Sequence, residues 1–158
     1  MSNATGFSFL NLRGNTDENE ANAVGGIVHL FTAAATLLVG DAVFLSGVGA
    51  VNKSATAANY VGFVGFVIAG DANARKLDDA VGVTAATVNQ KVLVQISGVA
   101  RAIVGATGFV AGTNFNAVPS AATAGRVIPG TTAAQRLGVV VSTQATAGSS
   151  VHVLIKQF

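Results

Sequence analysis

Cysteine is absent from this 158-residue chain, so a disulfide framework, a thiolate metal site and a cysteine nucleophile are all excluded. Tryptophan is also absent, tyrosine occurs once, and only 10% of the residues are charged. Typical soluble domains carry about 25% charged residues, and a chain with little charge and 51% hydrophobic residues is not intrinsically disordered over most of its length. The length corresponds to one domain.

The abundant residues are small ones, chiefly alanine, valine, glycine and threonine. Such side chains bury little area each, so a monomer has a thin core and a weakly charged surface. We therefore expect much of the surface to be covered by copies of the chain or by another protein. This composition is typical of a component of an assembly.

Charge gives no sign of a nucleic-acid partner. Nine Lys and Arg against seven Asp and Glu give a net charge of +2, and the basic residues are scattered along the chain. The basic pair Arg75-Lys76 is followed almost at once by Asp78-Asp79. A nucleic-acid surface needs clustered basic residues, so we predict none.

Targeting and membrane signals are weak as well. The first 22 residues lack the basic and apolar regions of a signal peptide, so we predict none there. The absence of cysteine fits synthesis in a reducing cytoplasm. The stretch Val24–Val48 is long enough to span a bilayer, but His29 and Asp41 interrupt it, and Gly40-Asp41 is a turn dipeptide. We predict no membrane partner.

Strand signals recur from Val24 onward, and helical periodicity is hard to find. Alternation is clearest near the end of the chain, where Val151, Val153 and Ile155 share one face. Gly98 lies inside a long β run and predicts a bend where the chain changes sheet or partner. The predicted strands lie within Val24–Phe31, Ala42–Leu45, Tyr60–Ile68, Lys91–Val104, Leu137–Val141 and Ser150–Lys156.

The spacing of these runs predicts an all-β fold, an antiparallel β-barrel or β-sandwich. The run Tyr60–Ile68 is apolar on both faces, which predicts a cover on each side, with another subunit as the second cover. The alanine-rich pieces Thr32–Leu38 and Ser120–Ala124 are each predicted to form a helical turn. Turn-rich stretches separate the strands, at Ser46–Asn59, Gly70–Asp79, Gly105–Pro119 and Gly130–Gln135.

Residues 1–23 form a unit separate from the β domain of residues 24–158. Four large apolar residues are followed by a polar, acidic stretch, and such a segment cannot bury itself. It is either a frayed terminus or an arm that docks on another surface, and the arm is the interpretation we favour. The candidate contact residues are Phe7, Phe9, Leu10, Leu12 and Arg13.

The residues that carry catalysis show no constellation in this sequence. Neither His29 nor His152 belongs to a metal-binding motif, and His152 falls on the polar face of the last strand as an ordinary exposed histidine. The adjacent Asp78 and Asp79 would point to opposite faces if they lay in a strand, which is wrong for a pair that shares a substrate, and Asp41 is typical of a turn residue that caps its own backbone. We predict no enzyme, no cofactor and no metal.

The order of these motifs resembles that of small bacteriophage capsid decoration (cement) proteins, over residues 24–158. The resemblance is carried by a strand ending in Phe31 and by the segments Val39–Gly47, Tyr60–Gly70, Val92–Ala102, Ala124–Gly130, Arg136–Ser142 and Ser150–Lys156. Residues 1–23 and the stretch Gly105–Thr132 depart from the shortest members.

The resemblance implies a tulip-like β-barrel or sandwich that forms a homotrimer on the outer capsid surface and bridges neighbouring major capsid proteins. The resemblance further implies that the protein is located in the virion and that its partners are other copies of the same chain and the major capsid protein. One alternative is another structural component, such as a phage tail or fibre protein or a subunit of a surface assembly. Another is a small β-fold enzyme or ligand-binding barrel, which the missing polar constellation disfavours.

Overall fold

The computed structural model describes residues 26–53, 62–70, 81–110, 112, 114–142 and 145–156. Nearly all regular structure in them is β, apart from 3₁₀ structure at Ala133–Gln135 and at Gly62, as the sequence predicts. The strands are β1 (Ile27–Ala33), β2 (Leu37–Leu38), β3 (Ala42–Gly47), β4 (Ala50–Lys53), β5 (Phe63–Gly70), β6 (Thr84–Ala86), β7 (Lys91–Ser97), β8 (Val99–Ile103), β9 (Asn116–Pro119), β10 (Val127–Pro129), β11 (Gly138–Val140) and β12 (Ser150–Ile155).

Five strands close into a barrel in the order β1-β4-β3-β5-β7, and β2 pairs with β6 in a separate two-stranded sheet. Four of the five barrel pairings are antiparallel, but β1 and β4 run parallel, with Thr32 opposite Ala50. This parallel pair departs from the predicted antiparallel arrangement. It is the pairing that closes the barrel, since it supplies the second neighbour of β1.

The other five strands form an antiparallel sheet in the order β10-β9-β11-β12-β8. A single bridge between Val104 and Val127 joins its two ends, so this second sheet is curled. The chain enters it at Gly98, which has a φ of +81° and separates β7 of the barrel from β8 of the second sheet. The predicted bend at Gly98 is confirmed.

Two apolar cores result from the alternation of side chains along the strands. In β3, Val43 points into the barrel, whereas its neighbours Ala42 and Phe44 point toward the second sheet. Valines and small residues fill the barrel interior, and the space between the barrel and the concave side of the second sheet holds the larger aromatic rings, including Phe66 and Phe109. Both rings are fully buried.

The two apolar faces of β5 are both covered within this one chain. Val67 packs in the barrel core, and Phe63 and Phe66 pack against the second sheet. The prediction that another subunit covers the second face of this strand is therefore wrong. Sequence alone could not show that the last third of the chain folds back onto the barrel.

Short elements account for the other differences. β4 and β9 lie in stretches predicted as turn-rich, and each is only four residues long. The predicted helical turn at Thr32–Leu38 is wrong, because the amides of Ala33 and Ala34 donate to the carbonyls of Gln90, next to β7, and of Val51 on β4, the two strands that flank β1. Ser120–Ala124 forms bends and a turn. Tertiary pairing here overrides the helix propensity of alanine.

Nowhere in the described residues is there a helix with the length and apolar character needed to cross a membrane. Most of Val24–Val48, the stretch considered above as a span, lies in β1, β2 and β3.

Candidate docking surfaces

The five residues that the sequence selects as candidate contacts all lie outside the described residues. They are Phe7, Phe9, Leu10, Leu12 and Arg13. The described part of the chain begins at Gly26, which lies against Gly98 at the junction of the two sheets. A Cβ atom added to Gly98 would lie 2.9 Å from the Cα of Gly26. The N-terminal segment therefore joins the body at this junction.

Asp41 occupies the other point where the two sheets meet. Its side chain is only 1% exposed, and its Oδ2 accepts a hydrogen bond of 2.8 Å from the amide of Leu38. The same oxygen lies 3.8 Å from Nζ of Lys53. The prediction that Asp41 caps the local backbone is confirmed. The sequence did not indicate that its side chain is buried.

Burial raises the pKa of the Asp41 carboxyl above its ordinary value of 3.8. The hydrogen bond from Leu38 and the charges of Lys53 and Arg126 act in the opposite direction and are weaker. A cluster of three or more potential metal ligands does not occur among the residues described. Asp41 is therefore best understood as part of the joint between the two sheets, where it also approaches the backbone of Gly125.

The convex side of the second sheet presents apolar residues to solvent. In its central row Val99, Leu154 and Val139 are direct cross-strand neighbours on β8, β12 and β11. Leu154 is 46% exposed and Val139 36%. Beside them Val141, at 54% exposure, donates its amide to the carbonyl of His152. We call these five residues the outer face: Val99, Val139, Val141, His152 and Leu154.

Basic residues border the outer face at one end. A shallow depression of about 350 Å³ lies there, lined by Arg136, Gly138, Val139, Leu154, Ile155 and Lys156. Nη1 of Arg136 lies 3.5 Å from Oδ1 of Asn116, which holds the guanidinium beside the sheet. An apolar surface with a cationic border suits a partner that combines apolar and acidic groups.

His152 differs from the predicted ordinary exposed histidine. It lies on the convex side as the alternation predicts, but its Nε2 atom is shielded from solvent and has no hydrogen-bond partner among the described residues. Its backbone amide donates to the hydroxyl of Ser142 at 3.1 Å. The imidazole is thus packed into the outer face.

A second exposed apolar feature lies at the far end of the barrel. Val48 is fully exposed in the turn between β3 and β4, and Val88 is half exposed in the turn before β7. Both turns flank the end of β1, because Thr32 donates to Gly49 and Ala33 donates to Gln90. We call Val48 and Val88 the barrel tip. It lies at the opposite end of β1 from Gly26.

The described body is strongly basic compared with the rest of the chain. It contains six of the nine basic residues and one of the seven acidic residues, Asp41, so its formal charge is 6 − 1 = +5. The basic residues are Lys53, Lys91, Arg101, Arg126, Arg136 and Lys156. Since the whole chain carries +2, the remaining residues sum to −3.

Sequence reasoning missed the outer face, although one signal was present. In the last strand, Leu154 stands among Ser150, His152 and Lys156 on the face opposite the buried valines. An isolated leucine on a polar face is common, so it carries little weight alone. Only the pairing of β11 with β12 shows that Val139 and Leu154 form a row.

These features define the class as an all-β protein in which a closed barrel carries a curled second sheet with an exposed apolar side. A comparison with protein-family models finds no match, and a comparison with curated proteins finds none either. Among solved structures the chain is similar to the N base of the head fibre gp8.5 of bacteriophage phi29, with a TM-score of 0.51 and 14% sequence identity. The similarity covers 83% of this chain and 94% of that chain, and it shows a shared fold.

Proposed function

We propose that this protein is a structural component of a phage virion that binds the outer surface of the capsid and bridges neighbouring major capsid proteins. The observation that carries the proposal is the fold shared with the base of a phage head fibre over 83% of the chain. The exposed apolar outer face and its basic border support it, because a stable monomer has little use for such a surface.

The two ends of β1 define an axis, and we propose an orientation of this axis relative to the capsid. The N-terminal segment leaves from Gly26, and the barrel tip lies six residue steps along β1, about 20 Å away. We propose that the Gly26 end faces the capsid, with Phe7, Phe9, Leu10 and Leu12 of the segment as anchors. The barrel tip then points away from the shell.

We also propose that the protein acts as a homotrimer. Both faces of β5 are covered within one chain and give no support for a trimer, but apolar side chains remain exposed on the barrel at Ile27, Leu30 and Leu45. Three copies allow weak single contacts to act together through a high effective concentration. Sedimentation of the purified protein at micromolar concentration tests the state, and a monomer would contradict it.

The alternative is another phage structural component, in a tail or a fibre. The structural neighbour favours it specifically, because that protein is described as the base of a head fibre. In either case we propose a binding role with neither catalysis nor a cofactor, and without nucleic acid or membrane as partner. The two structural roles differ in where the protein sits on the particle.

A particle-binding experiment tests the proposal and separates these roles. Purified protein is mixed with capsids assembled from the major capsid protein of the same phage, and bound protein is separated by sedimentation and located by cryo-electron microscopy. Decoration at positions between major capsid proteins supports bridging. Attachment only to tails, or no binding to capsids, rules the capsid role out.

Deletion of residues 2–22 tests the role of the arm in the same assay. The strands begin at Ile27, so we expect the truncated protein still to fold while capsid binding weakens. The matched control is Val48→Lys at the barrel tip, which should bind as the unmodified protein does. Equally tight decoration by the truncated protein would show that the body alone makes the contact.

A further inference from the structure

The outer face is an apolar feature of the described body that no described element covers. Its row Val99–Leu154–Val139 crosses three adjacent strands, and Val141 extends it. The opposite side of the same strands is fully packed, with Val151 and Val153 buried. A sheet with one side packed and an apolar second side calls for a cover.

The chain outside the described body begins beside this face. Gly26 lies against Gly98, and the carbonyl of Gly98 accepts a hydrogen bond of 2.9 Å from the amide of Ile155. Gly98 directly precedes Val99, and Ile155 directly follows Leu154. Residues 1–25 therefore depart from a point one residue away from the central row of the outer face.

The length of the segment permits it to return to that row. Thirteen residues, 13–25, separate Leu12 from Gly26, and a chain of that length spans at most about 43 Å. Three adjacent strands are only about 10 Å wide in total. The stretch from Phe7 to Leu12 can thus reach every residue of the outer face without strain.

Charge and apolar character are complementary between the two surfaces. Residues 1–25 contain Arg13 against Asp17, Glu18 and Glu20, a formal charge of 1 − 3 = −2, whereas the described body carries +5. Arg136 and Lys156 border the end of the face at which the segment departs. The acidic residues lie between the apolar residues and Gly26 in the sequence, so a segment that returned to the face would carry them past this basic border.

We propose that in the free protein the stretch from Phe7 to Leu12 docks on the outer face of its own polypeptide chain, with the acidic stretch beside Arg136 and Lys156. The same chain is the occupant because a tether of 13 residues gives an effective concentration in the millimolar range. The docked segment covers the apolar face of the free protein. The proposal concerns the free protein, so it stands or falls separately from capsid binding.

Paramagnetic relaxation tests the docking directly, and the absence of cysteine makes the labelling clean. A nitroxide is attached to Ser8→Cys, and the valine and leucine methyl signals of the free protein are recorded. We expect the signals of Val99, Val139 and Leu154 to lose most of their intensity, while those of the barrel tip, Val48 and Val88, keep theirs. Unchanged signals on the outer face would overturn the proposal.

Two further samples establish the source and the chemistry of the contact. In a mixture of labelled chains with unlabelled, isotope-enriched chains, we expect no loss of signal. A loss there would show that a second copy is the occupant and would overturn the proposal. Leu154→Lys should restore the signals of Val99 and Val139, whereas the control Val48→Lys should not.

Leu154→Lys could alter the sheet itself, so a second variant is placed in the N-terminal segment instead. Phe7→Ser combined with Phe9→Ser leaves the described body intact and should also restore the outer-face signals. Persistent signal loss in this double variant would contradict apolar docking. Capsid binding by the same variants is measured separately, so that failure of docking and failure of the proposed function are distinguishable.

Discussion

The barrel and the second sheet solve the same packing problem differently. Ladders of backbone hydrogen bonds close the barrel all the way round, and valine and alanine fill its interior. In the second sheet a single bridge, between Val104 and Val127, joins the two edges. Aromatic rings lie between the concave side of this sheet and the barrel. The barrel encloses an apolar interior but leaves Ile27, Leu30 and Leu45 exposed at different points of its strands, whereas the second sheet leaves the three neighbouring residues Val99, Leu154 and Val139 in one row on its convex side. Small residues permit closure of the barrel, and the exposed row is where we propose that the N-terminal segment docks.

The largest expected effect comes from breaking the closure of the barrel. Gly65 lies on β5 where a Cβ atom would collide with the carbonyl group of Gln95 on β7. Because backbone atoms cannot yield, we expect Gly65→Ala to destabilise the fold by more than about 4 kcal/mol. The control Gly47→Ala meets only the Cβ of Ala50 at 3.9 Å. Denaturant unfolding measures both, and equal midpoints would refute a closed barrel at β5.

The next largest effect tests the contact between the two regions. Phe66 is fully buried between barrel and second sheet, and its ring packs edge-on against that of Phe63 at 5.4 Å. We expect Phe66→Ala to cost about 3–5 kcal/mol by opening a cavity. Phe115→Ala, at an exposed phenylalanine, is the control and should cost far less. A loss confined to one region, seen as two unfolding transitions, would show that the regions fold independently.

A pair of adjacent residues compares the two sides of the second sheet. Val140 is buried on the concave side, and Val139 lies on the outer face. Val140→Thr places a hydroxyl in the core and should cost about 1–3 kcal/mol. Val139→Thr should change stability by no more than about 0.5 kcal/mol. Thermal unfolding measures the loss of stability in each variant. A larger loss for Val139→Thr than for Val140→Thr would mean that the buried and exposed sides of the sheet are wrongly assigned.

The smallest expected effect is a pH dependence at the joint. Burial raises the pKa of Asp41 above 3.8 in the folded protein, so the folded chain binds this proton more tightly than the unfolded chain does. Its contribution to stability is therefore fully present below pH 3.8 and is lost as the pH rises through the folded pKa, by at most about 1.4 kcal/mol per pH unit.

Comparison with Asp41→Asn isolates this contribution from those of the other carboxyl groups. We expect the free energy of unfolding of the unmodified protein, minus that of Asp41→Asn, to decrease as the pH is raised from below 3.8. Denaturant unfolding over this pH series measures the difference. A difference that rises with pH would show that Lys53 and the Leu38 amide outweigh burial.

Part of this architecture was predictable because it depends on local signals. The alternation in Ser150–Ile155 predicted which residues are buried, and Val151, Val153 and Ile155 are buried as expected. Gly98 predicted the change of sheet because a positive φ favours glycine. The candidate docking surfaces were harder to predict from the sequence, because the outer face combines residues from β8, β11 and β12 that lie far apart in the chain.

The sequence by itself determined an all-β chain of small residues with apolar alternation, and it predicts an acidic N-terminal segment separate from the β domain. Only the tertiary structure decided that β1 pairs in parallel with β4 and that the second sheet covers β5. It also decided that Val99, Leu154 and Val139 form one exposed row. Alternation specifies which side chains share a face of one strand, whereas pairing between distant strands is settled by closure of the backbone ladders and by packing of the whole chain.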